Sequence, residues 1–158
     1  MAVPLADKVM AKLEHASELY HRLVVLVAPA GAGKTAALQD VQRSTNAPLL
    51  NVNLEVSRLM LELTERQRAL QLPRLLSQIV NASAADVVLL DNIELLFDVS
   101  LKQDPLRLLQ GLARNKTLVV AWSGFVDAEN LVYATPDHQE YRRYPLQDVL
   151  VVAQDGTA

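Results

Sequence analysis

Residues 23–35 read LVVLVAPAGAGKT: five apolar residues, a loop of alanine, proline and glycine, then a lysine and a threonine. An apolar run without alternation fits a strand covered on both faces, as in a parallel sheet. The loop from Ala28 to Thr35, APAGAGKT, is almost free of side chains. Gly31 and Gly33 let the backbone bend so that successive N–H groups point inward as an anion nest, with no Cβ in the way of approaching phosphates. Lys34 then reaches the outer phosphates, the start of the following helix adds its positive end, and Thr35 offers a hydroxyl to magnesium. The stretch predicts a strand, a phosphate-binding loop and a helix. Pro29, Ala30, Gly31, Ala32, Gly33, Lys34, Thr35 and Ala36 form the expected cradle for ATP. Ala28 stands at the head of the loop, where glycine is commoner.

The rest of the composition narrows the class. A chain of 158 residues with 51% hydrophobic content suits one domain with a real core. Net charge is −3 and the isoelectric point about 5.6, so no global field draws the chain to nucleic acid or an anionic membrane, and DNA contact gains no support from charge. There is no cysteine, which excludes disulfides and thiolate metal sites and fits a reducing, cytoplasmic compartment. Charges run through the first turns of the N-terminus, and no apolar stretch reaches the roughly 18 residues of a membrane span. Neither a signal peptide nor a transmembrane helix is expected.

Apolar runs alternate with amphipathic segments along the chain, which predicts an α/β fold with a mostly parallel sheet. An N-terminal helix is expected over 5–20, strands over 23–27, 47–53, 87–90, 117–122 and 149–152, and helices over 34–44 and 104–114. Residues 54–81 read as a helical region interrupted at Pro73, either two helices or one kinked helix. The segment 125–148 resists assignment. The expected whole is a single domain, 1–158: a leading helix over 1–22, a nucleotide-binding core over 23–152 and a tail over 153–158. Its fold is a three-layer P-loop NTPase fold with a five-stranded, mostly parallel sheet flanked by helices and no C-terminal lid domain.

The magnesium partner of Thr35 should be an acid at the end of a buried neighbouring strand, and Asp91, closing DVVLLD, fills that role. Many ATPases with an extra central strand place glutamate directly after this aspartate, but here Asn92 stands there. It can orient water but cannot accept a proton at neutral pH. Glu94 is the alternative base if the chain enters a helical turn at once; otherwise it is a first-turn acid favoured by the helix dipole. Ser123, closing the strand beside the nucleotide strand, suits contact with the γ-phosphate or the attacking water. Arg142 and Arg143 precede the last strand, where ring-forming AAA-type ATPases carry an arginine that enters the neighbouring subunit's site; surface pairing with Asp137 or Glu140 is the plainer reading. Tyr20, His21 and Arg22 stand before the first strand, where the adenine often lies in these ATPases, although a lone histidine there is more often incidental. Tyr133, Tyr141 and Tyr144 offer either packing for the final segment or an aromatic surface for single-stranded nucleic acid.

Taken together, APAGAGKT, VLLDNIELLF, LVVAWSG and YATPDHQEYRRYP resemble the BrxF family, the small P-loop proteins of type III BREX phage-defence systems. The resemblance spans most of the chain, and DNIE with the Tyr-Arg-Arg-Tyr segment carries it. It implies a bacterial cytoplasmic NTPase working beside a larger ATPase, a methyltransferase and a phosphatase-like protein. The expected function is that of a magnesium-dependent ATPase, slow or partner-dependent, acting in a homo-oligomer. Two other classes stay open. One is a nucleotide-binding adaptor without hydrolysis, which Asn92 favours. The other is a small-molecule or nucleoside kinase with a lid concealed in 54–72.

Overall fold

The computed structural model describes residues 4–16, 18–146 and 149–153 and folds them as a mostly parallel sheet between two helical layers. The parallel strands are β1 (Leu23–Ala28), β2 (Leu49–Asn51), β3 (Val87–Asp91), the first half of β4 (Thr117–Asp127) and β7 (Leu150–Ala153), in the order β2-β3-β4-β1-β7. In β1, alternate side chains face opposite layers, which explains its unbroken apolar run. Val24 and Leu26 pack with α1 (Leu5–Ala16) and α2 (Lys34–Thr45). Val25 and Val27 pack with α3 (Val52–Met60), α4 (Glu65–Val80) and α5 (Pro105–Leu112).

The sheet has seven strands among the described residues, not five. β4 runs past the parallel sheet, and Gly124–Asp127 pair antiparallel with β5 (Asn130–Tyr133), which pairs in turn with β6 (Arg142–Pro145). This hairpin occupies most of the segment that resisted assignment. Its turn lacks the Asn-Gly or Asp-Gly signature of short hairpins. Ala128 takes the left-handed conformation instead, at φ 53°. The hairpin is locked at Trp122, whose indole N–H donates to the Val132 carbonyl at 3.1 Å, and Phe97 stacks on Tyr133 with centroids 3.6 Å apart.

The helical region breaks before Pro73. Thr64 caps α4 in a reciprocal box with Gln67: its hydroxyl accepts from the Gln67 amide, and its own amide donates to the Gln67 side chain. Pro73 then lies inside a continuous helix. A proline there leaves the carbonyl four residues earlier without its helical donor. That carbonyl belongs to Ala69, and the Gln103 side-chain amide donates to it at 2.9 Å. A residue remote in sequence thus compensates the proline.

Other boundaries shift for local reasons. β2 is three residues long because Asn51 caps α3, accepting from the Leu54 amide at 3.1 Å. α5 starts behind Asp104, as its sequence suggests, with Pro105 in its first turn. The leading helix ends at Ala16. Ala153, expected to open the tail, instead ends β7, and residues 1–3 and 154–158 lie outside the described residues, and with them the rest of the predicted tail and the expected lack of a lid. Among the described residues no helix is long and apolar enough to cross a membrane.

Candidate functional site

The chain leaves β1 at Ala28 and re-enters regular structure at Lys34. Between them Gly31 and Gly33 have φ of 79° and 95°, a region that costs residues with a Cβ about 1–2 kcal/mol. A Cβ built on either glycine meets nothing within 4 Å, so the glycines serve conformation and leave the space above them open. α2 starts without a side-chain cap and without an acid in its first turn, so its leading amides keep their donor capacity for a ligand. The loop is drawn tight by the Ala32 amide donating to the Pro29 carbonyl at 3.2 Å.

This loop borders a cavity of about 250 Å³. Ala30, Gly31 and Gly33 line it from the loop, Lys34 and Thr35 from α2, Asp91, Asn92 and Glu94 from the end of β3, and Ala121 and Ser123 from β4. Pro29, Ala32 and Ala36 flank the lining residues along the same loop and first turn. Lys34 is buried, and its ammonium donates to the Ala28 and Pro29 carbonyls, each at 2.9 Å. Burial lowers its pKa from the ordinary lysine value, while the charges of Glu94 and Asp91 pull the other way.

The Thr35 hydroxyl donates to Asp91 Oδ2 at 2.6 Å, and Asp91 Oδ1 accepts from the Asn92 amide at 2.9 Å. Asp91 was expected on a strand next to β1, yet β4 lies between β1 and β3. The contact forms because α2 covers the sheet from β1 to β3 and brings Thr35 across. The hydroxyl and carboxylate are hard oxygen donors of the kind magnesium accepts, with water and phosphate completing its shell. No group of three or more His, Cys, Asp or Glu suited to a metal occurs among the described residues.

Beyond Asp91 the chain turns sharply. Asn92 is left-handed at φ 53°, and a 3₁₀ turn, Glu94–Phe97, begins at once. That local helical turn brings Glu94 into the cavity. Burial raises its pKa above the ordinary carboxylate value; Asp91 adds to the rise, while backbone hydrogen bonds and Lys34 oppose it. Ser123 stands opposite Ala28 in the β1–β4 register, at the cavity wall.

Several expected residues lie elsewhere. Arg142 donates from Nη2 to the Gln103 carbonyl at 3.2 Å, and Arg143 pairs with Asp127 at 3.0 Å rather than with Asp137 or Glu140. Neither lines the cavity in its own chain. Tyr20, His21 and Arg22 precede the start of β1, whereas the loop follows its end, about 17 Å away at 3.3 Å per residue. There His21 contacts the Gln110 carbonyl and Arg114 lies over the Tyr20 ring. Tyr133 and Tyr144 pack around Trp122. Burial, aided by Glu94 and Glu140, pushes the Tyr133 hydroxyl up to about 12. Sequence reasoning missed Ala121, Gly124 and Asn53. The polar pair Asn51 and Asn53, directly after an apolar run that ends beside Asp91, was the available signal for the last.

No family model matches the chain, and no curated protein sequence matches it. Among solved structures, that of C. elegans PCH-2 superposes with a TM-score of 0.52 at 16% identity, covering 98% of this chain and 43% of the other. The chain therefore spans less than half of that protein's length. The likeness is one of fold alone: an α/β domain with a mostly parallel sheet flanked by helices.

Proposed function

We propose that this chain binds Mg-ATP on the loop from Ala28 to Thr35 and hydrolyses it slowly or with a partner, as an oligomerising component of a BREX-type antiphage system in the bacterial cytoplasm. The observation that carries the reading is the convergence on one cavity of two left-handed glycines, an uncapped helix start, Lys34 and the bonded Thr35–Asp91 pair. The AAA-like fold supports it. The sequence resemblance is what supports the BREX setting, with a larger ATPase and a methyltransferase as partners. That setting would be lost if cells carrying Lys34→Ala resisted phage as well as wild type.

Each residue has a task in this reading. Lys34 exchanges its two carbonyl acceptors for phosphate oxygens, gaining charge-assisted hydrogen bonds. Thr35 and Asp91 would hold magnesium, which offsets charge growing on the transferred phosphoryl group. Glu94, kept a stronger base by burial, takes a proton from the attacking water as its oxygen bonds to the γ-phosphorus and the bond to ADP breaks. Ser123 hydrogen-bonds the γ-phosphate or that water, and Asn92 orients the water.

Of the two arginines, Arg143 suits a role in a neighbouring subunit. Its pair with Asp127 is exposed and worth little, whereas Arg142 is engaged by the loop before α5. Glu94→Gln and Arg143→Ala should both bind Mg-ATP within about threefold of wild type and lose about 100-fold or more in turnover. In light scattering, ATP should enlarge the wild-type particle and leave that of Arg143→Ala unchanged. Unchanged turnover in Glu94→Gln removes the base, and one particle size with and without nucleotide removes the assembly. A second reading, an adaptor that binds without hydrolysis, draws on Asn92 directly after Asp91. No observation favours a kinase: the supposed lid over 54–72 belongs to α3 and α4, whose Val56, Met60 and Leu72 are buried.

A further inference from the structure

Glu94 enters the cavity on a turn whose geometry is not held by its own strand. The backbone reverses at Asn92 in a left-handed conformation that is unfavourable for residues with a Cβ, less so for asparagine than for others. Something must hold such a turn in place. Asn53, in the first turn of α3, contacts it at both ends. Its amide, a first-turn donor with no helical acceptor, donates to the Asn92 carbonyl at 2.9 Å, and its side-chain Oδ1 accepts from the Leu95 amide at 2.9 Å. The two bonds flank Glu94. β2 pairs with β3 through Asn51 and Asp91, so α3 starts beside the end of β3 with no intervening loop.

From these bonds we infer that Asn53 is a positioning residue: it fixes the turn between Asn92 and Leu95 and so aims the Glu94 carboxylate at the cavity. The inference rests on Glu94 acting as the base proposed above. Asn53→Ala removes the acceptor for Leu95 and leaves the backbone bond to Asn92, so the fold has no reason to fail. Asn53→Asp keeps an oxygen at the same place and serves as the rescue.

Two measurements test this. In free protein, hydrogen exchange at the Leu95 amide should quicken about tenfold in Asn53→Ala, with the β1 and β4 amides unchanged, and return toward wild type in Asn53→Asp. In turnover assays, Asn53→Ala should lower kcat about tenfold with KM for Mg-ATP within about twofold, and Asn53→Asp should restore most of the loss. Unchanged exchange at Leu95 overturns the inference. So does a fall in nucleotide affinity as large as the fall in kcat, which would mark a merely structural residue. Wild-type protein that binds Mg-ATP without hydrolysing it, both alone and with its partners present, also overturns it, since no base is then being aimed. Wild-type protein that binds no Mg-ATP removes the proposed function itself, and the exchange result then decides alone whether Asn53 holds the turn.

Discussion

Lys34→Ala is expected to weaken Mg-ATP binding by about 100-fold or more, close to 2.7 kcal/mol. The ammonium is the cation at a cavity whose other ionisable lining groups are the carboxyl groups of Asp91 and Glu94. Without it, a triphosphate faces two acids and keeps only backbone amides as donors. The loss should not come from unfolding. Burial already lowers the lysine's pKa, so removing the cation relieves a desolvation penalty while giving up two hydrogen bonds to carbonyls beside a cavity that water reaches. The unfolding midpoint should stay near wild type while calorimetry registers the lost affinity. Wild-type affinity in this variant would mean that the phosphates sit elsewhere.

Gly124→Ala should cost about 3 kcal/mol or more, a large share of the 5–15 kcal/mol that holds a typical domain. Its new Cβ would stand 2.1 Å from the Val132 carbonyl oxygen and 2.9 Å from the Trp122 indole nitrogen. The carbonyl cannot swing aside, because it accepts the Trp122 indole N–H and Gly124 is paired with Tyr133. Relief therefore requires β4 and β5 to part. That separation would disturb Trp122, Phe97 and Tyr133, which pack edge to face and face to face in the core. Urea unfolding reads the loss directly. A change within about 0.5 kcal/mol of wild type would show that the hairpin does not close over this glycine.

What was legible in the sequence was local. β1, the glycine loop, the start of α2 and Asp91 closing β3 each follow from a few neighbouring residues: apolar runs with both faces covered, glycines at the required spacing, an acid at a strand's end. The misreadings were tertiary in origin. Pro73 argues for a break until Gln103 is seen bonding the carbonyl it frees. The hairpin turns on an alanine, so no glycine announces it. The place of β4 between β1 and β3 cannot be read from either strand alone, nor can the grip of Asn53 on the turn that carries Glu94.

Titration of Mg-ATP into folded wild-type protein by calorimetry tests the central claim most directly. The account predicts one site per chain with a dissociation constant at or below about 100 μM. It predicts no comparable heat from the Lys34→Ala protein. Heats of dilution alone at millimolar Mg-ATP, with the chain by itself and with its partners present, would contradict it.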